Sequence, residues 1–141
     1  MSVRTTAASR LADLRGVTIL VLEDDDDTLE LLRSILSASG ARVLLASTAQ
    51  HARGYLQTMR PHLIVSDLAL PHEDGLAFAS WLRRHPHPDV AGLPIVAVTA
   101  YYEDYPRARA KDFAAYFQKP LAIDEFCRTV ADLVPPRRER L

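Results

Sequence analysis

Five short apolar runs, separated by segments of helical periodicity, constrain this chain more than any other feature. The first, Val17-Thr18-Ile19-Leu20-Val21-Leu22, is nearly continuous and rich in β-branched residues, the composition of a strand covered on both faces. It runs directly into Glu23-Asp24-Asp25-Asp26-Asp27. Asp27-Thr28-Leu29-Glu30 then reads as a capping box, Leu29, Leu32, Ile35 and Leu36 follow at helical spacing, and Gly40 is the stop. Val43 to Ala46 gives a second strand. Ser47 or Thr48 caps a helix carrying Ala49, Ala52, Leu56 and Met59, which Pro61 closes. Leu63-Ile64-Val65-Ser66 is a third strand, ending at Asp67.

Beyond a loop containing Pro71 and Gly75, the pattern predicts a helix over Leu76 to Arg84 with Phe78, Trp81 and Leu82 on its buried face. His85-Pro86-His87-Pro88 stops it. Pro94 to Thr99 is strand four, and a fourth helix is predicted around Pro106 to Asp112, where Pro106 suits the first turn. Ala115 to Gln118 makes strand five, and Ile123, Phe126, Val130 and Leu133 lie along one face of a last helix. Five strands alternating with five helices imply an α/β fold, a parallel sheet with right-handed crossovers and helices on both faces. The expected organisation is a basic leader over 1–15, one domain over 16–134 and a basic tail over 135–141, both ends mobile.

Composition narrows the function. Seventeen basic residues against eighteen acidic ones leave no basic excess, so nucleic acid is not the expected main partner. No apolar run approaches the ~20 residues of a membrane span, and the leader has no apolar core of a signal peptide, so no membrane partner is expected. The lone Cys127 is expected to be a structural thiol in a reducing cytoplasm. His51, His62, His72, His85 and His87 lack metal-ligand spacing.

Ligands of an open parallel sheet collect outside the carboxyl ends of its strands. Strand one ends in Glu23 and Asp24, strand three in Asp67, strand four in Thr99 and strand five in Lys119. Carboxylates that converge repel one another unless the cluster holds a hard cation or a proton. Mg²⁺ suits such an oxygen set, and it would let an anionic phosphoryl group approach a carboxylate nucleophile. Lys119 would add a mobile point charge and Thr99 a hydrogen-bond donor.

These residues carry a resemblance. The runs Ile19-Leu20-Val21-Leu22-Glu23-Asp24-Asp25, Ser66-Asp67-Leu68-Ala69-Leu70-Pro71-His72-Glu73-Asp74-Gly75, Val98-Thr99-Ala100 and Gln118-Lys119-Pro120, four in order and each at a strand end, resemble receiver domains of the two-component response regulator family of bacteria. The likeness covers about Val17 to Val134. It implies a flavodoxin-like, doubly wound sheet of order 2-1-3-4-5; that order is the family's own and is not read from the spacing. It implies that Asp67 is the phosphoacceptor. Glu23 and Asp24 would hold Mg²⁺ with Asp67, Asp24 directly and Glu23 through water, and Ala69 would add a backbone carbonyl. By the same matching Lys119 pairs with the phosphoryl group, Thr99 turns to hydrogen-bond it, Tyr116 is the switch aromatic, and the Lys119-Pro120 bond is cis. Ala69 and Tyr101, two residues past Asp67 and Thr99, are expected to set the lifetime of the phosphorylated state.

The implied function is that of a phosphoacceptor serving a histidine kinase or a histidine phosphotransfer protein. It signals by conformational change or phosphorelay, through a surface of the fourth helix, strand five and the last helix. The segment Leu11 to Val17 is similar to receivers joined to hybrid sensor kinases. The alternative, an Mg²⁺-dependent phosphohydrolase with an aspartate nucleophile, is weakened because Asp67-Leu68-Ala69 lacks a second acid two residues on. A DNA-binding regulator is disfavoured by the short stretch after the last helix. Three positions depart from the family pattern: Asp26 replaces a frequent proline, Asp112 stands where glycine usually ends the fourth helix, and Ala122 stands where Asp or Ser caps the last one.

Overall fold

The computed structural model describes residues 13–101, 104–105 and 112–140. Five parallel strands, β1 (Thr18–Leu22), β2 (Arg42–Ala46), β3 (Leu63–Asp67), β4 (Ile95–Thr99) and β5 (Ala115–Gln118), form one sheet in the order β2-β1-β3-β4-β5. The order matches the expectation. β3 and β4 are buried along their whole length, which is why they read as continuous apolar runs rather than as alternating ones.

The described α-helices are α1 (Asp26–Ala38), α2 (Ala49–Thr58), α3 (Gly75–Arg83), α4 (Pro88–Ala91) and α5 (Ile123–Leu133). Alternate strand residues feed two cores. Leu20, Leu22 and Ile64 pack with Leu56 of α2 and with Phe78 and Leu82 of α3 on one face. On the other, Ile19, Val21 and Val65 pack with Leu32 and Leu36 of α1 and with Phe126 and Val130 of α5. Full burial of each such side chain stabilises the fold by about 1.5–3 kcal/mol.

Several expectations are corrected. The N-cap of α1 is Asp25, not Asp27: its carboxylate accepts from Thr28 N at 2.9 Å and Thr28 Oγ1 at 2.7 Å. Glu30 instead pairs with Arg33 on the exposed face. Pro88 does more than stop α3, because its fixed φ and missing N–H suit the first turn of the short α4, which buries Val90. The helix expected at 106–112 lies outside the described residues, apart from Asp112. On α5, Ile123 is exposed at the helix start, and Cys127 joins Phe126 and Val130 on the buried face. Trp81 is only half-buried, with Arg53 placed over its ring. Ala122 provides no side-chain cap, as expected.

The described residues of the expected leader and tail, 13–15 and 135–140, make packed contacts. Leu14 is fully buried, and residues 137–139 form a 3₁₀ turn. Arg140 donates from Nη1 to the carbonyls of Asp13 at 3.0 Å and Arg15 at 3.1 Å, and from Nε to Pro135 O at 2.9 Å. A guanidinium with several fixed donors satisfies carbonyls that no strand reaches, so Arg140 ties the stretch after α5 to the segment just ahead of β1.

Candidate functional site

The strand ends bring the expected residues to one edge. Glu23 follows β1, and its N–H continues the ladder to Ala46 O at 3.0 Å, which drives its side chain inward to 1% exposure. Asp24 is exposed and Asp67, the last residue of β3, is buried. One carboxylate oxygen from each of Glu23, Asp24 and Asp67 lies within 4.8 Å of the others. Lys119 follows β5, its N–H bonded to Thr99 O at 2.9 Å, and its Lys119-Pro120 peptide is cis. Its Nζ donates to Glu23 Oε1 at 2.7 Å and to Asp67 Oδ2 at 3.1 Å.

The remaining acceptors are also engaged. Glu23 Oε2 accepts from Asp25 N at 3.0 Å, and Asp67 Oδ1 accepts from Ala69 N at 3.1 Å. Thr99 is fully buried, and its Oγ1 accepts from Tyr101 N at 3.1 Å. Tyr101 itself is 58% exposed, and Tyr116 is half-buried, edge-on to Phe113.

Gly75 explains why the loop after Asp67 closes as it does. Its N–H donates to Leu68 O at 2.8 Å, and a Cβ there would lie 2.4 Å from Asp67 O and 2.8 Å from Leu68 Cα. Only glycine allows α3, capped by Asp74, to start against this loop. Glu73, bonded to Arg53 at 2.9 Å, fastens the same loop to α2.

One ammonium therefore faces two buried carboxylates, with a third at the mouth. Burial pushes the Glu23 carboxyl up to about 7; the Lys119 hydrogen bond opposes this and the nearby Asp67 charge adds to it. Burial works against the Lys119 charge too, but Glu23 and Asp67 outweigh it and hold the amine protonated. An oxygen-only donor set with a surplus of negative charge fits a hard divalent cation.

Tyr105 was not anticipated. Its hydroxyl donates to Leu68 O at 3.2 Å, and its own carbonyl accepts from Tyr116 Oη at 2.7 Å. The tyrosines at 101, 102 and 105 were the available signal, but no spacing rule points to Tyr105 among them.

A family model described as "Response regulator receiver domain" matches residues 19–131. The chain belongs to the response regulator receiver family. This receiver is 39% identical over 119 residues to the uncharacterized 14.6 kDa protein in the sodA1 3′ region of Leptolyngbya boryana, covering 83% of this chain and 89% of that protein. It is 29% identical over 115 residues to the polar-differentiation response regulator DivK of Brucella anthropi, covering 80% and 92% of the two chains. Among solved structures, the receiver domain of sensor histidine kinase PA1611 from Pseudomonas aeruginosa, with a magnesium ion in its active site cleft, aligns with TM-score 0.75 at 25% identity. That match covers 84% of this chain and 97% of the other. The receiver is thus a module of two-component signal transduction, and it has the acidic cluster at which receiver domains bind Mg²⁺. Among the described residues, no helix is long and apolar enough to cross a membrane.

Proposed function

We propose that this receiver accepts a phosphoryl group on Asp67 from a phosphohistidine of a histidine kinase or histidine phosphotransfer protein. The observation that carries this is the seat of Asp67, held between Lys119 Nζ and Ala69 N–H, each at 3.1 Å. A carboxylate oxygen of Asp67 attacks phosphorus, the P–N bond to the donor imidazole breaks, and the imidazole nitrogen keeps the electron pair and takes up a proton. Lys119 is already in place to share its charge with the incoming oxygens. Mg²⁺, when bound, supplies the positive charge that lets two anions approach.

Asp24, Asp67 and the Ala69 carbonyl are the proposed direct ligands. Glu23, the most buried of the three carboxylates and the one held most closely by Lys119, at 2.7 Å, is proposed to act through water. Thr99 exchanges its bond from Tyr101 N for one to the phosphoryl group, and Tyr116 responds on β5. The target then reads β5 and α5, together with the segment 106–112. For the hydrolase alternative, Ala69 offers no acid to a leaving group, and its N–H is bonded to Asp67 itself. A cytoplasmic site of action fits a kinase partner.

The test is intact mass after incubation with acetyl phosphate. One phosphoryl group should add with Mg²⁺ and none with chelator; labelling that ignores the metal would count against the site. Mg²⁺ should also raise the melting temperature, more at pH 8 than at pH 6, because a proton on Glu23 competes with the ion. The sign for the metal-free protein is opposite. With Glu23 raised to about 7, the fold binds a proton that the unfolded chain has released, so this contribution to stability is lost as pH rises through that value.

Lifetime is proposed to follow from Ala69 and Tyr101. Ala69 has no polar side-chain atom to line up a water behind phosphorus, and the Tyr101 ring is bulky. The parent should lose its phosphoryl group more slowly than the double variant Ala69→Asn, Tyr101→Glu. Equal or faster loss in the parent would remove both residues from that role.

A further inference from the structure

Tyr105 connects two parts of the receiver that are far apart in sequence. Its half-buried ring packs against the core on the α3 side of the sheet, as Tyr116 does. Through its side chain it holds Leu68 O, next to Asp67, and through its carbonyl it holds Tyr116 Oη. Burial, helped by the carboxylates of Asp74, Asp67 and Asp104, raises the pKa of the phenol, so it remains a donor.

We propose that Tyr105 is a positioning residue that latches the loop after β4 to the Leu68 carbonyl in the unphosphorylated receiver, and that release of this latch carries a change at Asp67 to Tyr116. The inference rests on the reading that Asp67 is phosphorylated. Thr99 Oγ1 is held by Tyr101 N at 3.1 Å, so turning this hydroxyl toward a group on Asp67 breaks that bond and moves the chain that follows. The Tyr105 bond to Leu68 resists the movement. Leu68 O also accepts from Gly75 N at 2.8 Å, so removing the phenol oxygen leaves no buried carbonyl without a donor. Tyr105→Phe should therefore release the switch while leaving the fold closed.

The experiment compares the parent with Tyr105→Phe and with Tyr55→Phe, a control whose ring stacks on His51 of α2. Amide shifts of Phe117 and Gln118 are followed with and without acetyl phosphate and Mg²⁺, alongside the initial rate of labelling by intact mass. Unphosphorylated Tyr105→Phe should be displaced along the line toward the parent's phosphorylated positions. Its labelling should be roughly two- to tenfold faster, the span that one hydrogen bond supplies. Tyr55→Phe should match the parent. Tyr116→Phe, which frees the Tyr105 carbonyl without touching that side chain, should displace the Leu68 amide in the same direction.

Parent-like positions and rate in Tyr105→Phe, displacement off that line, or an unmoved Leu68 amide in Tyr116→Phe would each overturn the latch. A parent that takes up no phosphoryl group would overturn the phosphoacceptor reading, and the latch with it. That result differs from a labelled parent with an indifferent Tyr105→Phe, which overturns the latch alone.

Discussion

Asp67→Asn should take up no phosphoryl group under conditions that label the parent fully. The amide is nearly the same size and can still accept from Ala69 N, so the loop after β3 should keep its shape. What disappears is the anionic oxygen that attacks phosphorus. The melting temperature separates this outcome from misfolding. Glu23 and Asp67 share one ammonium, and the Asp67 charge helps to push the Glu23 carboxyl up. Removing that charge relieves repulsion, so without metal the variant should melt at or above the parent. Its response to Mg²⁺ should shrink, since one proposed ligand is gone. Labelling of Asp67→Asn at the parent's level would assign the phosphoryl group elsewhere.

Gly75→Ala should be the most damaging single-methyl change in the receiver. The added carbon would meet backbone on two sides, Asp67 O at 2.4 Å and Leu68 Cα at 2.8 Å, neither of which can turn aside as the Leu68 Cδ2 methyl at 2.9 Å can. Overpacking of this kind costs about 1–3 kcal/mol, and losing the Gly75 N bond to Leu68 O adds roughly 1 kcal/mol. For a domain of this size, each kcal/mol lowers the melting temperature by about 4 °C. A drop of roughly 10 °C is therefore expected, together with slower labelling of Asp67, because α3 must retreat from the loop that carries it. Gly54→Ala is the control, since a Cβ there meets nothing within 4 Å. Equal melting of the two variants would show that the loop and α3 separate freely.

The central strands β1, β3 and β4 were legible because burial on both faces leaves little room for polar residues within them. The placement of the candidate site was legible because Glu23, Asp24, Asp67, Thr99 and Lys119 each stand where an apolar run stops, and the sheet order brings those stops to one edge. What stayed hidden depended on choices among neighbours or on distant partners. Four consecutive aspartates follow Glu23, and any of them could have capped α1. Asp25 takes the role because Glu23 Oε2 anchors its N–H, fixing the turn two residues earlier than the Asp27 box suggested. Pro88 read as a terminator, although the same missing N–H also suits a helix start. Arg140 reaches Asp13 across 127 positions and Tyr105 reaches Leu68 across 37, separations that local patterns do not encode.

The tie that Arg140 makes to the stretch ahead of β1 has a practical side. All five strands point their carboxyl ends at the site, and the Asp13, Arg15 and Arg140 junction lies just ahead of Thr18, where β1 begins. About 17 Å of strand, the usual span of five residues, therefore separates the junction from the acidic edge. A fluorophore, an affinity tag or a surface anchor attached at this junction, for example at the exposed Arg138, would leave from the far side of the sheet. The docking face would stay open, so kinase binding and phosphoryl uptake can be followed on an immobilised receiver without the tether standing in the partner's path.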